Sequence, residues 1–284
     1  MNTLARIALY SAMASSLVAC GGDDNDNDFA QMTITPTYLE ALGDEYNYEG
    51  WIIVGGVPVS TGTFDVEGNQ TVPSSFSLDQ DMAAQATTFI LTIEPEVGDV
   101  PEPSAVHIIA GDLVDGRTTA VTSHGAALAT DFSAVEGTFI LATPSNGNAT
   151  PNQGIWFLDN SSGMAMAGLT LPTLPAGWKY EGWVVNDGPI STGTFTNVAM
   201  ADSDGAGTTA GPNPTPGFPG QDFITPALDL VGKTAVISVE PDPDNSSAPF
   251  SLKPLVAVIE DTTSPQEMTS NVAMTLPSAV VVIN

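Results

Sequence analysis

The chain carries the same sequence motif twice, and this repeat constrains its fold more than any other feature. Residues 48–64 read YEGWIIVGGVPVSTGTF and residues 180–195 read YEGWVVNDGPISTGTF, so the two segments match with a gap of one residue. A second block agrees further along, where ILTIEP at 90–95 aligns with VISVEP at 236–241. Two matching blocks in the same order predict two copies of one folding unit.

The residues that recur are mostly aromatic residues and glycines. They are Tyr48, Trp51, Gly62 and Phe64 in the first copy and Tyr180, Trp183, Gly193 and Phe195 in the second. A large aromatic side chain at the start of a strand usually dominates burial, so we expect Trp51 and Trp183 to anchor the core of each unit. The alternative is a pair of exposed aromatic platforms for a ligand.

Short apolar, β-branched runs fill both copies. Examples lie at 51–54, 88–93, 137–142 and 279–283, and Gly, Pro and Asp residues separate such runs. Helical periodicity is scarce. This pattern predicts an all-β protein made of two tandem antiparallel β-sandwiches, Ig-like or Greek-key, that arose by internal duplication.

The repeat also predicts the domain boundaries. We expect the first sandwich over 30–143 and the second over 154–284, joined by a linker at 144–153 that is rich in Pro, Asn and Gly. The second copy holds an inserted Pro/Gly-rich segment at 208–220. Such a segment is predicted to be an exposed and mobile loop.

The N-terminus has the pattern of a targeting signal. Residues 1–19 carry one cation and then an apolar stretch that is too short for a permanent membrane span and suits a signal peptide. Leu17-Val18-Ala19-Cys20 ends it, and Cys20 is the single cysteine of the chain. This resembles the lipobox of bacterial lipoproteins, in which the cysteine becomes the lipidated first residue. With Gly21 next, the resemblance implies anchoring outside the cytoplasm, at the outer membrane, on its periplasmic or cell-surface face.

Acidic residues dominate the charge of the chain. There are 33 Asp and Glu residues against 5 Lys and Arg, which gives a formal charge of −28. A nucleic-acid interface needs a basic surface that displaces counterions, so nucleic acid is excluded as a partner. Residues 20–29, which are mostly Gly, Asp and Asn, are predicted to form a flexible acidic tether behind the lipidated cysteine.

Two acidic loops are candidates for calcium binding. Glu94 and Asp99 belong to the first loop, and Glu240, Asp242 and Asp244 belong to the second. Carboxylates are the ligands that Ca²⁺ prefers, and bound cations would offset the self-repulsion of so acidic a chain. A calcium-stabilised surface or adhesion module is therefore one hypothesis. The alternative is that Glu94 and Glu240, which end strands before a proline, are solvated or cap-like carboxylates.

Taken together, the repeated motifs are similar to a known family. Residues 171–183 read LPTLPAGWKYEGW, which resembles the start of the extracytoplasmic domain of anti-sigma-K factors. That family continues with a Pro-Val-Ser-x-Gly-x-Phe strand, here 58–64 and 189–195, and a later strand that ends in Glu-Pro, here 94–95 and 240–241. The resemblance implies the sensing or binding half of such a system. The family's cytoplasmic helical segment and membrane-spanning helix have no counterpart here, so we expect no direct contact with a sigma factor.

Catalytic motifs are absent from the sequence. His107 and His124 are the only histidines, and there is no zinc-protease motif, nucleophile elbow or Gly-rich phosphate loop. We therefore expect a non-enzymatic envelope protein without a cofactor, whose partner is an envelope protein or a small ligand. The remaining alternative is an unrecognised catalytic site in 113–143, with His124, Asp131 and Glu136.

Overall fold

The computed structural model describes residues 28–66, 74–244 and 246–284. The predicted signal peptide, Cys20 and nearly all of the predicted tether lie outside these residues. Within them the protein is nearly all β, and its main strands form two large antiparallel sheets. In the part of the chain that the structure describes, no helix has the length and apolar character needed to cross a membrane.

The strands follow one another in the same way in both copies. The first copy contains β1 (Phe29–Thr37), β2 (Tyr46–Val54), β3 (Val57–Phe64), β4 (Ser74–Asp79), the short helix α1 (Gln80–Gln85), β5 (Ala86–Pro95), β6 (His107–Asp112), β7 (Arg117–Val121) and β8 (Glu136–Leu141).

The second copy begins with two 3-10 turns and has three additional short strands. It contains the turns Pro144–Asn146 and Pro151–Gln153, β9 (Gly154–Trp156), β10 (Leu158–Asp159), β11 (Met166–Ala167), β12 (Leu169–Thr170), β13 (Trp178–Val185), β14 (Pro189–Phe195), β15 (Gly220–Asp222), β16 (Thr234–Pro241), β17 (Leu255–Val258), β18 (Gln266–Ser270), a third 3-10 turn (Val272–Met274) and β19 (Ser278–Ile283).

Each sheet curls so that its two edge strands approach each other. The first sheet has the order β3-β2-β5-β6-β7-β19-β1-β4, and the second has the order β14-β13-β16-β17-β18-β8-β9-β15, with β12 paired to β8 off this path. The edge strands β3 and β4 lie close together, and so do β14 and β15. The predicted pair of antiparallel β-sandwiches is therefore confirmed, in a form that is nearly barrel-shaped.

The two sheets have exchanged one strand. Strands that occupy the same position in the two orders are equivalent strands of the two copies, as β2 and β13 are. The sixth position is the exception, because β19 of the second copy lies in the first sheet and β8 of the first copy lies in the second. β19, the last strand of the second copy, pairs with β7 and β1 of the first copy. β8, the last strand of the first copy, pairs with β18 and β9 of the second. Each copy therefore supplies the strand that completes the sheet of the other.

This exchange corrects the predicted domain boundaries by one strand each. The chain passes between the sheets at 122–135, between β7 and β8, and again at 271–277, between β18 and β19. The first unit thus comprises 29–121 with 278–283, and the second comprises 136–270. Both copies offer equivalent pairing partners, so an apolar strand pattern does not specify which sheet receives the strand.

The predicted linker at 144–153 is an integral part of the second unit. Ser145, in its first turn, is fully buried, and its backbone N–H donates to Asp222 Oδ2 at 2.9 Å. The segment at 208–220, predicted to be exposed and mobile, is partly buried against it. The N–H of Gly211 donates to Ser145 Oγ at 2.8 Å, so this segment is hydrogen-bonded to the body of the unit.

The exchanged strands are buried in the cores that receive them. Val281 of β19 is fully buried and lies opposite Ile34 of β1. Phe139 of β8 is fully buried and packs edge-on against Phe157, with ring centroids 6.4 Å apart. These side chains belong to one contiguous hydrophobic cluster that extends through both units. Complete burial of such a side chain contributes about 1.5–3 kcal/mol to stability.

Candidate functional site

The repeated tryptophans are part of the scaffold. Trp51 and Trp183 are each only 2% exposed. Their indole Nε1 atoms donate to Thr92 Oγ1 at 2.9 Å and to Ser238 Oγ at 2.8 Å, on the neighbouring strand. Both rings are buried and hydrogen-bonded within a sheet, so they are not exposed platforms for a ligand. Neither belongs to the main core, and Trp51 packs in a small separate cluster with Ile90.

The other repeated aromatic residues form one stacked pair in each copy. Tyr48 stacks on Phe64 with ring centroids 5.7 Å apart, and Tyr180 stacks on Phe195 at 5.8 Å. Burial raises the pKa of both tyrosine hydroxyls well above the usual value. These neutral, buried rings also serve the core.

The hydroxyls of these tyrosines fix the loop that precedes the motif. Tyr48 donates to the backbone oxygen of Glu40 at 3.0 Å, and Tyr180 donates to that of Pro172 at 2.7 Å. Glu40 and Pro172 are thus equivalent positions of the two copies. The backbone contact is the same, but only the first copy has a carboxyl side chain there.

The repeated glycines are required by the backbone. Gly62 and Gly193 have φ angles of +113° and +106°, in the region that favours glycine. Their N–H groups donate to the hydroxyls of Ser60 at 3.2 Å and Ser191 at 3.1 Å. The motif Ser-Thr-Gly therefore recurs because both hairpins need the same irregular strand.

The same serine hydroxyls donate to the repeated glutamates, Glu49 and Glu181. The two carboxyls are 6% and 5% exposed, and burial raises the pKa of each. Oε2 of Glu49 is buried without a hydrogen-bond partner. Each glutamate ties the two strands of its hairpin together.

Two of the predicted calcium ligands, Glu94 and Glu240, hold the loops that follow their strands. Glu94 accepts the N–H of Ser104 at 2.8 Å, and Glu240 accepts that of Phe250 at 2.9 Å and 3.1 Å. Ser238 also donates to Glu240, whose burial raises its pKa to about 7. Both glutamates close their loops in the same way, which explains why Glu-Pro recurs.

The other three predicted ligands lie in these loops. Asp99 and Asp244 each accept a backbone N–H of their own loop at 2.8 Å, and Asp242 Oδ1 lies 3.5 Å from Lys179 Nζ. Across the described residues, no group of three or more His, Cys, Asp or Glu side chains is placed to hold a metal ion. The calcium hypothesis stays a prediction.

The residues of the catalytic alternative make contacts elsewhere. His124 Nε2 lies 3.3 Å from Asp112 Oδ1, and Asp131 accepts the N–H of Ser133 at 2.9 Å, while Glu136 is exposed on β8. His124 and Asp131 lie in the segment 122–135, which crosses between the sheets. The described contacts join these residues to other partners and not to one another.

A cleft of about 660 Å³ lies between the two copies, and the sequence analysis did not predict it. Its volume is within the range of small-molecule sites. Both copies contribute to its walls, which consist of residues 40–46, Ile93, Pro95, 104–106, 241–244, Ser246, Ser247 and Phe250.

The two equivalent contacts between the copies differ. On one side Trp178 Nε1 donates to the backbone oxygen of His107 at 3.2 Å, and the ring is buried. The equivalent positions on the other side are Tyr46 and Lys253. Tyr46 lines the cleft, and Lys253 lines a neighbouring cavity of about 470 Å³. The Trp178 contact borders the cleft, because Phe250 of the cleft wall packs edge-on against Trp178 with ring centroids 6.1 Å apart.

Glu40 lies at the wall shared by the cleft and the neighbouring cavity. Burial raises its pKa to about 7, although the positive charge of Lys253 lowers it. Burial also lowers the pKa of Lys253, whose Nζ donates to the backbone oxygen of Phe250 at 2.5 Å. The equivalent residues in the other copies are Pro172 and His107, so this pair of charges occurs once. In the sequence, this pair is marked by charged residues, Glu40 and Lys253, at positions where the opposite copy has Pro172 and His107.

No family model, curated protein or solved structure matches the chain. The resemblance to the exterior domain of anti-sigma-K factors therefore rests on the motifs quoted above. The fold and the cleft define a duplicated all-β protein whose two copies have exchanged a strand and enclose a space of ligand size.

Proposed function

We propose that this protein is a lipid-anchored binding protein of the bacterial cell envelope and that its ligand occupies the cleft between the two copies. The cleft supports this proposal because both copies build its walls and its volume of about 660 Å³ suits a small molecule. Its walls also include residues 40–46, which carry three carboxyl groups where the aligned residues 172–178 carry none.

The proposed role is binding without catalysis. The buried acids of the repeat are engaged as hydrogen-bond acceptors for the scaffold, as Glu181 and Glu240 illustrate. The resemblance to anti-sigma-K factors adds a sensing role, in which occupancy of the cleft is passed to an envelope protein that reaches the cytoplasm. Direct contact with a sigma factor is not part of the proposal.

A cleft-filling variant tests the binding site. Ser247 is exposed on the cleft wall, so Ser247→Trp fills the space without disturbing the core. Fragments of varied charge that bind the purified protein in ligand-observed NMR should lose binding to this variant. Ser264→Trp, at an exposed position that does not line the cleft, is the matched control and should bind as the parent does. Fragment binding that Ser247→Trp leaves unchanged would contradict the proposal.

The anchor is tested separately in the full chain. Cys20→Ser should abolish incorporation of labelled fatty acid and leave the precursor uncleaved in bacterial cells. Labelling that persists in this variant would remove the lipid anchor from the proposal, and it would leave the cleft untouched.

A further inference from the structure

We propose that the cleft takes a small organic cation, an amine carried on an apolar body. This inference rests on the proposed function, because it names the class of ligand for the same cleft. It follows from the charge of the walls, from their apolar part and from the way the nearby cations are already engaged.

Acidic side chains line the cleft, and among its described lining residues there is no Lys, Arg or His. The acids are Glu40, Asp44, Glu45, Asp242 and Asp244. Two lysines outside the lining offset part of this charge, since Lys179 is paired with Asp242 and the positive charge of Lys253 acts on Glu40, which leaves five acids against two cations. Lys179 Nζ lies 3.5 Å from Asp242, and Lys253 Nζ donates to the backbone oxygen of Phe250. The cleft therefore keeps an excess of negative charge that a ligand cation can neutralise.

These carboxylates act on one another through a partly buried medium. The negative charge of Asp244 raises the pKa of Glu40, and it also raises the pKa of Glu181 and Glu240. Burial is the larger cause of these pKa shifts, and Asp244 adds to it; of the three glutamates only Glu40 lines the cleft. A positive group that enters the cleft gains from the same field.

The rest of the cleft wall is apolar. Leu42, Tyr46, Ile93, Val106 and Phe250 all line it. A bare metal ion would leave this apolar surface in contact with water. An apolar ligand body removes it from water, while the amine faces the carboxylates.

Three matched probes test the inference by isothermal titration calorimetry on the full-length protein. They are 2-phenylethylamine, the neutral 2-phenylethanol and the anionic 3-phenylpropionate. We expect the amine to bind at least about tenfold more tightly than the alcohol and the anion not to bind measurably. A tenfold preference corresponds to about 1.4 kcal/mol.

Two variants separate the cleft from the overall charge of −28. Asp244→Asn removes a carboxylate from the cleft wall. Asp99→Asn removes one from the corresponding loop of the first copy, at a position that does not line the cleft. We expect Asp244→Asn to weaken amine binding about three- to tenfold and Asp99→Asn to leave it within twofold. Equal weakening by both variants would show general attraction to an acidic protein and would overturn the inference.

The dependence on pH gives an independent readout. Lys253, Asp244, Tyr48 and the backbone of Ser251 act on the Glu40 carboxyl. Because a cation favours the ionised carboxylate, amine affinity should rise between pH 6 and pH 8, and Glu40→Gln should flatten that rise. A rise of equal size in the Gln variant would contradict the part assigned to Glu40.

The outcomes separate the two proposals. If the alcohol binds as tightly as the amine and Ser247→Trp blocks both, the cation inference fails while the cleft remains a binding site. If none of the three probes binds while other fragments lose binding in Ser247→Trp, the cation inference fails and the proposed function stands. If Ser247→Trp leaves all binding unchanged, both fail.

Discussion

At the residue scale, close packing explains the glycine of the repeated Glu-Gly-Trp motif. A Cβ on Gly182 would collide with Thr192 Oγ1 and would lie 2.8 Å from the ring of Phe157. Both neighbours are buried, so neither has room to move away. We expect Gly182→Ala to lower the free energy of unfolding by about 1–3 kcal/mol in urea denaturation, as overpacking does.

Gly188 supplies the control for this prediction. It lies in the turn between β13 and β14, and a Cβ there would meet nothing within 4 Å. Gly188→Ala should change the free energy of unfolding by less than about 0.5 kcal/mol. An equal loss in both variants would mean that close packing at Gly182 is not the cause.

The buried carboxyl of Glu240 predicts an unusual pH dependence. Its pKa of about 7 in the folded protein is above the ordinary value of 4.5, so the folded state holds a proton that the unfolded chain releases. The contribution to stability is complete below about pH 4.5 and is lost as pH rises towards 7. Glu240→Gln should reduce that fall by on the order of 1 kcal/mol, measured by denaturation at pH 5 and pH 7.5.

Glu102, an exposed residue of the first acidic loop, provides the comparison. Glu102→Gln removes the same charge from the surface and should leave the fall between pH 5 and pH 7.5 as it is. If the two glutamine variants show the same pH profile, general charge repulsion explains the fall and burial of Glu240 does not.

The residue scale also marks the limit of what the sequence could predict. The burial of Trp51 and Trp183 follows from their size and their position in apolar strands. The sequence left the roles of Glu94 and Glu240 open between a cation ligand and a cap-like carboxylate, because a carboxylate before a proline looks the same in both cases. Glu40 was missed because its neighbour Lys253 belongs to the other copy.

At the element scale, the exchanged strand β19 contributes directly to the first unit. Val281 is fully buried there, while its neighbour Val280 is 50% exposed. Val281→Ala should destabilise the protein by about 2 kcal/mol because it leaves a cavity in the core. Val280→Ala, in the same strand, should cost less than about 0.5 kcal/mol in the same urea experiment. Equal losses would mean that β19 does not insert into a core.

The strands themselves were predictable, but their pairing was not. Apolar runs and turn residues locate β5 and β16 to within about two residues, whereas β2 and β13 begin five residues before the predicted runs at Trp51 and Trp183. The local residue pattern of a strand does not indicate which distant strand it pairs with. Because the two copies offer equivalent partners, the exchange of β8 and β19 depends on the crossing segments at 122–135 and 271–277.

At the scale of the whole molecule, the exchange and the shared core join the two units into one. The contiguous hydrophobic cluster includes residues of both sheets, and each sheet depends on a strand of the other copy. We expect one cooperative unfolding transition in calorimetry, with the calorimetric and van't Hoff enthalpies equal. Two separate transitions would indicate independent domains.

Cysteine cross-linking in a Cys20→Ser background tests the strand exchange most directly. Val280 lies opposite Thr119, and Thr138 lies opposite Glu267, each pair joining an exchanged strand to its host sheet. Directly opposite residues are close enough for a disulfide or a short thiol linker. We expect the double variants Val280→Cys with Thr119→Cys and Thr138→Cys with Glu267→Cys to cross-link. Cross-linking instead of Val280→Cys with Glu267→Cys, or of Thr119→Cys with Thr138→Cys, would show that each copy keeps its own last strand and would contradict the architecture.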